Sequence, residues 1–230
     1  MHALVIGNRD DRDPGHVGRA LEARGYHLLP LIREEPDGWV APAGDDILVV
    51  LGSAWSVYWN DVAGLVEKEA AYLRAAHGAD IPILAICFGA QMVASALGGT
   101  VGRAPHPEVG WHVVEPEPES PIEPGPWFQW HFDAFTLPPG ARRLATSPAG
   151  PQAFALGRTL AVQFHPEIDP SIVERWCAES PTDLEAVGVT RRELVAEVIA
   201  AEAASARRAE GLVATFEHAL VTRRDSPATY

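Results

Sequence analysis

Cysteine is scarce in this chain of 230 residues: only Cys87 and Cys177 occur, too few for a disulfide framework. Two thiols fit a reducing compartment, and at this length a folded chain buries roughly 70% of its unfolded surface, so the core needs neither disulfides nor structural metal. Long apolar runs are also missing, since none approaches the eighteen or so residues of a membrane span. The first residues, Met1 to Gly7, carry no basic region and no cleavage site, which gives the cytoplasm as the expected address. Positive charge is in deficit. Eighteen basic against thirty-one acidic residues leave a net charge of −13, which repels phosphate backbones and anionic membranes and excludes nucleic acid and membrane as expected partners. No internal repeat is visible, and the twenty prolines and twenty glycines are scattered without period.

What is present begins with a short apolar run, His2 to Gly7, followed by a turn-rich stretch and then Val17, Ala20, Leu21 and Arg24 at helical spacing before Gly25. Further apolar strands are expected at Tyr26 to Ile32, Ile47 to Leu51 and Ile81 to Ile86, with a helix over about Asp61 to Ala76. Near-continuous apolar strands alternating with helices indicate a parallel sheet covered on both faces. Past Ala104 the segments alternate and are broken by Pro and Gly: Gly110 to Val114, Phe128 to Phe135, Arg143 to Ser147, Gln152 to Leu156 and Leu160 to Phe164. They read as antiparallel or mixed additions to the parallel sheet, with the proline-rich Glu115 to Pro126 as a surface connection. Beyond Pro181 the composition turns to Ala, Glu and Arg. Thr182-x-x-Glu185 and Thr190-x-x-Glu193 read as capping boxes for a short helix and a long one, roughly Arg191 to Val221, with Gly211 as a point of interruption. The expected organisation is an α/β domain over residues 1–180 and a C-terminal helical extension over 181–230.

Chemistry concentrates where strands end. Ile83 to Ile86 runs straight into Cys87-Phe88-Gly89-Ala90-Gln91 and a helical pattern closed by Gly98-Gly99. A cysteine on a sharp strand-to-helix turn between small residues presents its sulfur above the sheet, beside the positive end of the next helix, where a thiolate nucleophile is favoured. The N–H of Phe88 is there as an oxyanion donor. A second apolar strand, Thr159 to Phe164, ends in His165-Pro166-Glu167. Strand alternation puts His165 and Glu167 on one side, and Pro166 restricts His165 to an extended conformation. Active sites of open α/β sheets lie outside the carboxyl ends of the strands, so Cys87 and His165 can meet there.

On Cys87-Phe88-Gly89-Ala90-Gln91 and His165-Pro166-Glu167 the chain resembles the class I glutamine amidotransferases, over about Leu4 to Trp176. Leu51-Gly52-Ser53-Ala54-Trp55-Ser56-Val57 is similar to the family's oxyanion loop. Glu108-Val109-Gly110-Trp111 and Gln129-Trp130-His131-x-Asp133 are similar to free-standing members related to the glutaminase part of GMP synthetase. The resemblance implies a flavodoxin-like sheet and a Cys-His-Glu triad. Cys87 would be the nucleophile, His165 the general acid/base and Glu167 the group that orients it. It further implies Gly52 and Phe88 as oxyanion donors, Gln91 and His131 at the substrate, and no cofactor. Two departures stand out: Ala85 where many relatives have glycine, and Gly52-Ser53-Ala54 where Gly-Gly-Pro is common.

The implied reaction is hydrolysis of the glutamine amide through a cysteine thioester, the ammonia passing to an acceptor on a separate synthase subunit. The fifty residues after Ser180 are too few for an ATP-dependent synthetase module. The alternatives are a free-standing γ-glutamyl peptidase and a regulatory domain with decayed machinery. A zinc site using Cys87, His131 or His165 is weaker, because ligand cysteines seldom occupy such an elbow. Gly15-x-x-Gly18 lacks the rest of a nucleotide fingerprint. Trp55, Tyr58 and Trp59 form either a packed lid or a wall facing an acceptor or partner, and Cys177 reads as structural filler. The apolar stripe Leu194, Val195, Val198 and Ile199 must be covered, by the chain's own domain or by a homodimer partner.

Overall fold

The computed structural model describes residues 1–221. Nine strands form one sheet in the order β2-β1-β3-β4-β9-β8-β7-β5-β6. The first five of that order, β2 (His27–Ile32), β1 (His2–Gly7), β3 (Ile47–Val50), β4 (Ile83–Ile86) and β9 (Thr159–Val162), pair in parallel. β8 (Gly150–Leu156), β7 (Arg142–Ser147), β5 (Val101–Pro116) and β6 (Gly125–Phe135) continue the sheet with antiparallel pairing.

The period-2 alternation of the parallel strands divides the core between two faces. Ala3, Val5, Ile47, Val49, Leu84 and Ile86 pack with helices α1 (Gly15–Glu22) and α6 (Arg191–Phe216). Leu4, Ile6, Leu48, Val50, Ile83 and Ala85 pack with α2 (Ala63–Gly78) and α3 (Phe88–Ala96). β2 departs from the expected two-sided burial: it is the sheet's edge and mostly open to solvent, which is why Pro30 is tolerated within it.

A third core joins β5 and β6 to α4 (Pro170–Glu179), α5 (Pro181–Val187) and the start of α6. Cys177 lies in this core, and burial raises its thiol pKa. Leu194 and Val198 of the C-terminal stripe are buried there, while Ile199 stays 56% exposed. α6 passes through Gly211 without interruption and reaches Phe216, with a single π-helical turn, Glu217–Val221, behind it.

Two expectations at helix starts come out differently. At Thr190 the capping box forms, the hydroxyl accepting from Glu193 N and the Glu193 carboxylate accepting from Thr190 N; such caps contribute about 1 kcal/mol. At Thr182 it does not, because α5 begins at Pro181 with Ser180 as its cap, so Thr182 is already inside the helix. Pro181 supplies a fixed φ suited to the first helical position and moves the start two residues upstream of the motif.

Candidate active site

β4 ends at Ile86 in the middle of the sheet, and the chain reverses through Cys87 into α3. Cys87 holds φ 51° and ψ −110°, a strained conformation for a residue with a side chain, costing about 1–3 kcal/mol. Its neighbours fix it: Cys87 N donates to Val162 O at 2.8 Å and Gln91 N to Cys87 O at 3.0 Å. Gly89 cannot be larger, since a Cβ there would sit 2.2 Å from Val50 O. The elbow therefore forms as the motif predicts, but the sulfur is not broadly exposed. Cys87 is 4% accessible and opens only into a pocket of about 510 Å³. Gln163 Nε2 donates to Sγ at 3.5 Å, and the carbonyl oxygen of Trp130 lies 3.8 Å from the sulfur.

His165 and Glu167 follow β9, which ends at Val162 rather than Phe164, so strand alternation is not what pairs them. They sit on an irregular turn held by His165 N donating to Phe128 O at 2.8 Å and His16 N to Glu167 O at 3.0 Å. On this turn Nδ1 of His165 meets Glu167 Oε1 at 2.7 Å, with both side chains buried. Nε2 is buried with no hydrogen-bond partner among the described residues. Burial works against the charged ring, but the Glu167 and Cys87 charges outweigh it and hold the His165 pKa well above its ordinary value. Gly15 belongs to the same support: at φ +47° it lets the start of α1 approach Glu167, where a Cβ would lie 2.0 Å from the carbonyl oxygen. The Gly15-x-x-Gly18 pattern is thus a packing device.

Gly52 follows β3 and reaches both groups. A Cβ on it would come within 3.2 Å of His165 Cε1 and 3.7 Å of Cys87 Cβ. The loop beyond it is fastened across the pocket, with Ser56 Oγ donating to Asp133 Oδ2 at 2.5 Å and Tyr58 OH to Asp133 Oδ1 at 2.8 Å. Ser53 Oγ accepts from Trp55 N at 3.1 Å, giving the loop a local turn where the common proline is missing. Trp55 and Trp59 line the pocket.

Gln91 and His131 both line it too, and both are engaged by protein groups. Gln91 Nε2 donates to Asp133 O at 3.3 Å and to Gln163 Oε1 at 3.2 Å. The two His131 ring nitrogens lie 3.0 Å from Asp133 O and 3.2 Å from Glu108 Oε2. Burial raises the Glu108 pKa, but hydrogen bonds from His131 and Ser147 more than reverse that and leave it lowered. Among the described residues no three His, Cys, Asp or Glu side chains converge as a metal site.

Comparison with known proteins fits this geometry. Residues 43–175, more than half of the chain, match the model of the family described as glutamine amidotransferase class-I. The chain belongs to this family. Imidazole glycerol phosphate synthase subunit HisH of Symbiobacterium thermophilum is 30% identical over 192 residues, 73% of this chain and 87% of that protein. A glutamine-hydrolyzing GMP synthase of Aeropyrum pernix is 36% identical over 125 residues, 51% of this chain; the match spans only 22% of the synthase. A glutamine amidotransferase of Thermotoga maritima, of known structure, superposes with a TM-score of 0.82 at 25% identity, covering 94% of this chain and 97% of its own. The fold is thus the family's α/β fold, and no helix among the described residues is long and apolar enough to cross a membrane.

Three residues at the site escaped the sequence reading. Arg33, at the end of β2, and Glu69 of α2 form an ion pair with both side chains 1% exposed. Gln163 contacts the thiol. Two left a signal: Glu69 interrupts the apolar helical stripe Leu73 and Ala76, and Gln163 stands polar between Val162 and Phe164. Arg33 is a buried charge at the carboxyl end of a parallel strand, where sites collect. Removing one partner of such a pair costs about 3–5 kcal/mol.

Proposed function

We propose that this chain hydrolyses the side-chain amide of glutamine through a thioester on Cys87. The observation that carries the reading is that Cys87 and His165 line one pocket, with Glu167 2.7 Å from the His165 ring and Gly52 lying against both groups. The Cys87 thiolate attacks the amide carbon, and the backbone N–H groups of Gly52 and Phe88 receive the developing oxyanion. The C–N bond breaks as His165 gives its proton to the departing nitrogen, so ammonia leaves and a γ-glutamyl thioester remains. Water then attacks, His165 takes its proton, and glutamate departs with the thiol restored. Glu167 orients the imidazole and supports its charge. Gln91 and His131 shape the pocket around the γ-glutamyl group.

Residues 1–180 carry this chemistry, and the extension that begins at 181 adds helices α5 and α6. Of that extension, 222–230 lie outside the described residues. Ammonia passes to an acceptor on a separate synthase subunit, a reading supported by the similarity over 73% of this chain to a protein that is itself a synthase subunit. The cytoplasm is the expected setting.

A second reading has its own observation. His165 must face the leaving nitrogen, and the Trp176 ring packs on it at 4.7 Å with Trp130 at 5.8 Å beyond. Their indole N–H groups are fixed by Asp11 and Asp183, each at 2.9 Å. Ammonia has no use for an aromatic wall, whereas the amine of a γ-glutamyl peptide would lie against it. Glutamate release from glutamine and from γ-glutamyl dipeptides, compared by kcat/KM, separates the two: preference for glutamine supports the amidotransferase reading, preference for the dipeptides replaces it. Absence of glutamate release from either would favour the decayed domain.

A further inference from the structure

We propose that Arg33 is a positioning residue for this reaction, setting the oxyanion geometry from behind the site; the inference rests on the Cys87 reading above. The guanidinium does not line the pocket, yet it holds the loop on which Gly52 sits. Nη2 donates to Leu51 O at 2.9 Å and Nη1 to Gly52 O at 2.9 Å, so two consecutive loop carbonyls are bound by one fork. In a trans peptide the C=O and N–H point in opposite directions. Binding Leu51 O on the Arg33 side therefore aims the Gly52 N–H away from Arg33, and the residue it belongs to lies against Cys87 and His165. Arg33 also packs on the side chain of the residue that carries the second donor, its Cζ lying 4.8 Å from the centroid of the Phe88 ring.

The remaining N–H groups of Arg33 have partners too. Nη1 also donates to Asn8 Oδ1 at 2.7 Å, Nε to Glu69 Oε2 at 2.9 Å and Nη2 to Glu69 Oε1 at 3.4 Å. Five donors meet five acceptors. A lysine, with three donors and no planar fork, cannot reproduce that set. Glu69 balances the charge and orients the fork, and Asn8 ties it to the loop after β1. The loop sequence Gly52-Ser53-Ala54 has neither a second glycine nor a proline to set its conformation, so the brace comes from a different strand.

The test uses the full chain with three variants: Arg33→Lys, the double variant Arg33→Met with Glu69→Met, and the isosteric Glu69→Gln, which keeps an amide oxygen as an acceptor for Arg33. The double variant removes both charges of the pair and leaves no lone buried ion. Circular dichroism and Tm establish folding. Two rates are then compared, glutamate release from glutamine and alkylation of Cys87 by iodoacetamide. Alkylation builds no oxyanion, so it reports the thiolate alone.

Loss of a single oxyanion donor lowers kcat by about 10²–10³-fold. Folded Arg33→Lys and the double variant are expected to lose kcat by about 100-fold with KM and alkylation nearly unchanged, and Glu69→Gln by about tenfold, on the same scale. Wild-type kcat in any folded variant of Arg33 overturns the proposal, as does alkylation falling in step with kcat, which would mean that Arg33 only supports the elbow. If both Arg33 variants fail to fold, Glu69→Gln decides: reduced kcat with normal alkylation supports the proposal, and unchanged kcat overturns it. Failure of the Cys87 reading itself has a different signature: wild-type protein that releases no glutamate from any γ-glutamyl substrate.

Discussion

Two adjacent loops at the carboxyl ends of β3 and β4 build the two halves of the site by opposite means. The elbow at Cys87 is held by main-chain hydrogen bonds to its neighbours in the sheet and helix and by the close fit of Gly89 against β3. The loop from Gly52 to Trp59 is held by side chains from elsewhere, Arg33 on its inner side and Asp133 on its outer side. A loop fastened by its own backbone keeps its shape whatever surrounds it. One fastened by distant polar groups can be loosened by a single substitution or re-set by a partner.

The comparison predicts that substitutions of Cys87 in the elbow or of His165 facing it abolish turnover, while those in the loop's ties only weaken it. The largest effect is expected from Cys87→Ala, which should lower glutamate release on the order of 10⁶-fold while leaving the melting curve in place. Measurable activity above about 1% in that variant would break the contrast at once. His165→Ala should come close behind, because the ring moves protons in both half-reactions.

Glu167→Gln is expected to leave activity reduced by about 10²–10⁴-fold and to change its pH profile. The Glu167 charge helps raise the His165 pKa, so its removal lowers that pKa and moves the alkaline limb of kcat/KM to lower pH. The same sign governs stability. The raised pKa contributes stability that is full below the unfolded value near 6.5 and lost as pH rises through the folded value, so the variant should narrow the Tm difference between neutral and alkaline pH. An unmoved limb would mean that a different group sets it.

The smallest effect belongs to the outer tie. Tyr58→Phe removes one hydrogen bond to Asp133, which is retained by Ser56, and the expected loss is severalfold in kcat/KM, matching a contribution of about 1 kcal/mol. An effect as large as that of His165→Ala would show that the loop is as finely set as the elbow.

The same division explains what was legible in the sequence. The elbow and the His165–Glu167 pair were visible because Cys87, Gly89, His165 and Glu167 act over two or three positions in the chain. Four of the five parallel strands were visible as short apolar runs; β9 was read among the later additions, because it is parallel to β4 on one side and antiparallel to β8 on the other. Arg33 was not visible, because it is an ordinary charged residue until α2 is laid against the end of β2 and Glu69, which showed only as a charge in an apolar helical stripe, reaches it from 36 positions away. β5 was truncated for a related reason: from Val101 it pairs with β6 through an irregular register between Arg103 and Glu108, where alternation breaks down. The false capping box at Thr182 shows a local motif overruled by an equally local Pro181.

The most direct test of the account is active-site labelling followed by peptide mass spectrometry. A glutamine-derived electrophile should add once per chain, on Cys87, with glutamine protecting it and glutamate release falling in proportion to the label. Cys177, buried in the third core with a raised pKa, should stay unmodified. Labelling at Cys177, or full activity in protein fully labelled at Cys87, would contradict the assignment of Cys87 as nucleophile.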